Sequence, residues 1–246
     1  MNSVRSPRVK TLAGVIAVIG CDGAGKSRLS TDLVTDLPNV GPVEFLYLGQ
    51  SSGNIADWIR GLPLIGPAVG RYLVRRAERT HSKAKSPDAV TAVVIFMLSL
   101  WRAHKFRRML VLHRRGVSII TDRYPQAEVQ GFYFDGPGLD ADLAESWFVR
   151  MLATAEHRLY QWMASHVPAM VIRLSIDAAT AHARKPDHKM SMLRDKVEII
   201  HGLTFNNADI LDLDGCEPYP RVLEAGLLAA QETLRSGVRQ TQQSRS

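Results

Sequence analysis

Eight consecutive residues, Gly20-Cys21-Asp22-Gly23-Ala24-Gly25-Lys26-Ser27, satisfy the pattern G-x-x-x-x-G-K-[ST]. Placed between a strand and a helix, this pattern holds a phosphate chain, because glycines let the backbone wrap an anion with its N–H groups pointing inward. The helix that follows adds the positive end of its dipole. In this reading Gly20, Asp22, Gly23, Ala24, Gly25, Lys26, Ser27 and Arg28 form an ATP-binding loop. The Lys26 ammonium meets the β- and γ-phosphates, and the Ser27 hydroxyl ligates a Mg²⁺ that bridges two phosphate oxygens. Asp22 is an electrostatic oddity in an anion-binding loop. It either binds an acceptor or closes the loop as a hydrogen-bond acceptor.

A second acidic group follows the apolar run VSIIT (117–121), which ends in Asp122-Arg123-Tyr124-Pro125. The C-terminal ends of strands in open α/β sheets border the ligand crevice, so this acid and arginine belong to the same site. Asp122 either holds Mg²⁺ or accepts a proton from the attacking group, and Arg123 clamps a phosphate. A third cluster lies in HARKPDHK (182–189) and the helical stretch to residue 196. Arg184, with Lys185, Lys189 and Arg194, is the material of a basic lid over the transferring phosphoryl group, or else of a solvated basic loop. Lys26, Asp122, Arg123 and Arg184 are the candidate catalytic residues, and Ser27 and Asp122 the candidate metal ligands. His182 and His188 lack a third ligand at matching spacing, so a zinc-type site is not expected.

These groups need a scaffold that delivers them to one edge. Five short apolar runs read as strands: 13–19, 44–49, 117–121, 169–176 and 209–215. They alternate with helical spacing over 26–37, 88–115, about 140–166 and 219–235. That alternation predicts an α/β fold, a five-stranded parallel doubly wound sheet with helices on both faces and a basic lid over 182–196. One domain over 13–235 is expected, with an extension at 1–12, an acceptor-side insertion at 53–87 and a polar, disordered tail at 236–246. The insertion mixes apolar residues with glycine and proline and reads as a broken helix and loop.

Composition narrows the function classes. The 246 residues are 46% apolar, enough for a full core, and carry a net charge of +7, which favours anionic ligands. Much of the positive charge lies between residues 70 and 116, opposed there by Glu78 and Asp88 alone. That segment is a solvated helix face, a collector of a phosphorylated acceptor, or, with Trp58 and Ile59 nearby, a membrane-surface contact through 55–85. Aromatic residues make up 7% and no recognition module is visible, so no specific nucleic-acid partner is expected. Cys21 and Cys216 are too few for a disulfide framework, and the apolar run 13–19 is too short for a secretory signal. A soluble, cytoplasmic protein is the expectation.

The stretches VIGCDGAGKS and GVSIITDRY, with the helix IFMLSLWRAHKFRRMLVLHRRG before the second, resemble the thymidylate kinase family of P-loop kinases. The resemblance implies transfer of the ATP γ-phosphate to a small anionic acceptor, a nucleoside monophosphate such as dTMP first, and a homodimer. It implies an acceptor site formed by Asp22, Leu98, Arg102, Arg123 and Tyr124, with Arg102 gripping the acceptor phosphate. Leu98 stands where the family has a base-stacking phenylalanine, so dTMP itself is expected to be a poor substrate. A nucleoside or sugar-type kinase and a non-catalytic nucleotide-binding regulator are the alternatives.

Overall fold

Strand β1 (Lys10–Gly20) carries the longest apolar run, and its residues from Val15 to Ile19 are buried. Burial on both faces is what a continuous β-branched run requires, and the surroundings supply it. In the computed structural model, which describes residues 9–37, 41–49, 87–131 and 134–243 and side chains as far as residue 237, β1 lies at the centre of a five-stranded sheet. Its companions are β2 (Val43–Tyr47), β3 (Ser118–Asp122), β4 (His166–Ser175) and β5 (Ile210–Asp214). The order is β2-β3-β1-β4-β5 and every pairing is parallel.

Helices α1 (Lys26–Asp36), α2 (Ala89–Arg114), α3 (Trp147–Ala164), α4 (Ala178–Arg184), α5 (Met190–Gly202) and α6 (Tyr219–Gln243) complete the described chain. α1 and α6 pack against one another and the sheet, as do α2 and α3. The doubly wound expectation is met. Local chemistry sets the starts: Asp88 accepts from the Thr91 N–H at 2.7 Å and Ser146 from the Val149 N–H at 3.2 Å, the N-cap geometry of α2 and α3. By length and composition α2 could cross a membrane. Here it packs on β3 and α3 and buries Arg102 completely.

Four expectations need correction. β1 begins at Lys10, within the segment read as an extension, because the chain continues past a bulge between Leu12 and Ile16 that hides the alternation. The helix expected from about 140 begins only at Trp147, after turns capped by Ser146. α6 runs on to Gln243, so most of the supposed polar tail is helical. The basic segment 182–196, read as one lid, spans two helices, α4 and α5, separated by a turn at 185–189. The 53–87 insertion, save its last residue, and the 55–85 membrane-surface contact lie outside the described residues.

One core cluster bears directly on the acidic strand end. Phe106 of α2 is fully buried and meets Tyr124, Trp162 and His166 edge-on, with centroids 5.7, 5.6 and 5.8 Å away. Tyr124 follows Asp122 and Arg123 directly, so the anchoring of this ring anchors them. Phe106→Ala is expected to lower stability by roughly 3–5 kcal/mol, measured by denaturant unfolding.

Candidate active site

The parallel register Val15↔Ile119 to Val18↔Asp122 brings the end of β3 alongside the glycine loop. Ser27 Oγ donates to Asp122 Oδ2 at 2.5 Å across 95 residues of sequence. Asp122 is buried, and its Oδ1 has no hydrogen-bond partner. A buried carboxylate oxygen beside a serine hydroxyl is a hard-oxygen donor set, and the orphaned atom is where a cation would be expected. Among the described residues no cluster of three or more His, Cys, Asp or Glu is present to hold a metal without help from a ligand. A phosphate-bridging Mg²⁺ fits that pattern, since such ions take few protein ligands.

The loop itself is organised around Gly25, whose φ of +95° at the N-terminal cap of α1 suits glycine and few other residues. Lys26 is nearly sealed and donates from Nζ to the Cys21 carbonyl at 2.8 Å, with Asp22 Oδ1 at 3.8 Å. Burial, with Arg123 adding to it, lowers the Lys26 ammonium to a pKa of about 8, against the pull of Asp22. Asp22 sits among Lys196 at 2.8 Å, Arg123 at 3.1 Å, Lys26 and the His188 ring at 3.9 Å. Burial works to raise its carboxyl, but Lys196, Lys26 and Arg123 outweigh it and hold the group well below the ordinary range. Asp22 therefore closes the loop by charge and still faces the cavity.

That cavity, about 630 Å³, is lined by Asp22, Lys26, Ser27, Asp122, Arg123, Arg184 and Lys185, together with Tyr47, Asp135, His188 and Lys196. A second space of about 330 Å³ shares Gly23, Gly25, Arg28 and Arg184 with it and extends to Gly215, Glu217 and Tyr219. Arg28 lies flat over the Tyr219 ring at 3.8 Å, and Arg184 donates to the carbonyls of Gly23 at 3.2 Å and Gly215 at 3.0 Å. Arg184 thus ties α4 to the glycine loop. Lys185 joins it on the cavity wall, while Lys189 and Arg194 are exposed and do not line the cavity.

The acceptor group inferred from the resemblance divides. Asp22 and Arg123 face the cavity, whereas Leu98, Arg102 and Tyr124 are buried away from it. Tyr124 donates its hydroxyl to the His166 carbonyl at 2.6 Å, and burial pushes that phenol up far above its ordinary value. Arg102 donates from Nη2 to Asp135 Oδ1 at 3.0 Å and from Nη1 to the Asp135 carbonyl at 3.2 Å, with Tyr160 stacked 5.8 Å away. In this arrangement the guanidinium is engaged by Asp135 and does not line the cavity, while its buried Nε has no hydrogen-bond partner. Asp135, Lys196 and Tyr47 were not picked out by sequence reasoning, and His188, weighed there only as a metal ligand, also faces the cavity. Asp135 sits in an irregular glycine-rich loop and Lys196 inside a helix of mixed charge, so neither carries a local motif.

No family model matches the chain. The parallel sheet, the glycine loop on β1 and the acidic end of β3 define a P-loop-type α/β protein. The chain is 50% identical over 221 residues to "Uncharacterized ATP-binding protein YghS" of Escherichia coli (strain K12), covering 89% of this chain and 93% of that protein. It is 43% identical over 225 residues to "Uncharacterized ATP-binding protein YghR" of the same strain, covering 91% and 89%. It belongs to the family that contains YghS and YghR.

The Asp22 cluster makes a prediction about acid stability. Because the folded carboxyl lies below its unfolded value, its contribution is present in full above about pH 3.9 and is lost as pH falls toward the folded value. Asp22→Asn, which leaves buried cations uncompensated, is expected to cost roughly 3 kcal/mol near neutrality. Urea unfolding at several pH values should also show a weaker pH dependence below pH 4 in the variant than in the parent.

Proposed function

We propose that this protein is an ATP- and Mg²⁺-dependent phosphotransferase that moves the γ-phosphoryl group of ATP to the hydroxyl of a small acceptor. The observation that carries the reading is the Ser27–Asp122 pair beside Lys26 on one cavity wall, a set of groups suited to meet a phosphate chain and the ion that would bridge it. The printed names of YghS and YghR as ATP-binding proteins support the nucleotide half. In this reading the triphosphate lies along Gly23–Ser27 and the base occupies the space between Arg28, Arg184, Gly215 and Tyr219.

Ser27 Oγ and Asp122 would hold Mg²⁺, which when bound neutralises charge on the phosphate oxygens. Lys26 supplies fixed positive charge where negative charge gathers, in a site where it is already desolvated and needs little reorganisation. Arg184, Lys185 and Arg123 line the same cavity, where the first two would close over the phosphates and Arg123 would stand between donor and acceptor. The acceptor oxygen bonds to the γ-phosphorus as the bond to the β–γ bridging oxygen breaks, leaving ADP and the phosphorylated acceptor, with the hydroxyl proton released to solvent. A dTMP-type pocket is not favoured, since Leu98, Arg102 and Tyr124 are turned into the core.

Transfer from labelled ATP across an acceptor panel tests the reading. Lys26→Ala should lower kcat by several orders of magnitude. Asp122→Asn should lower kcat at least about a hundredfold while the ATP dissociation constant changes far less. Full turnover in Lys26→Ala would sink the assignment, and a parallel loss of affinity and rate in Asp122→Asn would make Asp122 a ground-state ligand.

Lys26 adds a pH signature. Its pKa of about 8 means the ammonium is only partly protonated at that pH, and phosphate oxygens favour the charged form. ATP binding near pH 8 is therefore expected to take up protons, and affinity to fall as pH rises further. Calorimetry in two buffers of different ionisation enthalpy reads the uptake directly, and Lys26→Met should abolish it.

A further inference from the structure

We propose that the phosphate acceptor is an uncharged, hydroxyl-rich small molecule, a nucleoside or sugar-like compound, and that Asp135 is the side chain that receives its hydroxyls. This rests on the phosphotransferase reading and names the substrate class of that site. Asp135 lies in the wall of the cavity that holds Lys26, Ser27 and Asp122. Its backbone has φ of +61°, a left-handed conformation uncommon for non-glycine residues and one that Asp adopts more readily than most.

The surroundings of Asp135 are visible. The Asp135 carbonyl accepts from the Gln126 N–H at 3.2 Å and from Arg102 Nη1 at the same distance. The next residue, Gly136, has no room for a side chain, since a Cβ there would stand 2.1 Å from the Val129 carbonyl oxygen. At the far end of the loop the buried Glu156 carboxylate accepts from the Leu139 N–H at 2.7 Å and from Ser99 Oγ at 2.5 Å. Helices α2 and α3 thus hold the loop at both ends and aim one carboxylate at the cavity.

The charge pattern selects the ligand. Arg102 is wholly buried behind Asp135 and occupies its Oδ1, while among the described residues Oδ2 has a long 3.5 Å contact from Arg123 and retains acceptor capacity. Arg123 spans Asp135 and Asp22, so this end of the cavity presents two carboxylates around one arginine. Burial works to raise the Asp135 carboxyl, but Arg123 and Arg102 hold it below the ordinary range, so it stays an acceptor of hydrogen bonds and a poor base. The arginine that an acceptor phosphate would pair with there is already shared between Asp22 and Asp135, whereas a hydroxyl can donate to Asp135 Oδ2. Asp135 and Asp22 orient the acceptor, and the hydroxyl that is not held by them attacks the γ-phosphorus, with ADP leaving and the proton passing to solvent.

The test uses matched pairs on the full chain with labelled ATP: thymidine against dTMP, and ribose and glycerol against their phosphate monoesters. The uncharged member of at least one pair should be preferred by tenfold or more in kcat/KM, as about one charge-assisted hydrogen bond gained would give. Asp135→Asn should raise KM for that acceptor roughly tenfold to a hundredfold while KM for ATP stays the same. Preference for the phosphorylated members would overturn the inference and leave the phosphotransferase reading intact. Absence of transfer to every compound, with ATP bound, would overturn both. Where Asp135→Asn fails to fold, the matched pairs on the parent protein decide the question alone.

Discussion

The parallel pairing of β1 with β3 is the constraint on which the rest of this site depends. Four consecutive register pairs end at Val18↔Asp122, and the next backbone bond runs from the Arg123 N–H to the Val18 carbonyl at 3.0 Å. The pairing is fixed because both strands are buried on both faces, and a slip of one residue would turn every side chain of a strand to the opposite face. The chain is thereby obliged to present Asp122 beside Ser27, and Arg123 beside Asp22, although about a hundred residues intervene. β4 pairs on the other side with Gly20 opposite Leu174, so the glycine loop leaves the sheet at its centre, where crossovers to either side open a crevice.

From that edge a line of alternating charge runs inward: Lys196 and Lys26 on Asp22, Asp22 on Arg123, Arg123 on Asp135 and Asp135 on Arg102. Burying single charges is costly, and an alternating chain lets each ion be compensated by its neighbours. The line also sorts the groups by task. Its outer cations, Lys26 and Lys196, face the phosphate loop, whereas its inner end is closed by Arg102, fully inside the protein with Tyr160 against it. Arg123 and Asp135 carry the line from the glycine loop along the wall of the cavity.

The likeness to YghS and YghR covers about nine-tenths of each chain. Helices α4 and α5 are tied to the glycine loop, because Arg184 bonds the Gly23 and Gly215 carbonyls and Lys196 bonds Asp22.

The sequence by itself determined the five strands, their parallel alternation with helices, the glycine loop and the acid at the end of β3. Each of these is written in local patterns: continuous β-branched runs, a fixed eight-residue spacing, a carboxylate directly after an apolar stretch. Strand ends moved by a few residues, most at β1 where a bulge interrupts the pattern, and α6 outran its apolar periodicity. Only the tertiary structure decided which charged side chains face the cavity. Arg102 and Arg123 look alike in sequence, yet one is sealed behind Asp135 and the other spans two carboxylates. Lys196 lies in a helix like its exposed neighbour Arg194, but the turn of α5 carries it to Asp22. The direction of an ionic side chain is set by which opposite charge the packed helices bring within a few ångströms, and that distance is a property of the fold.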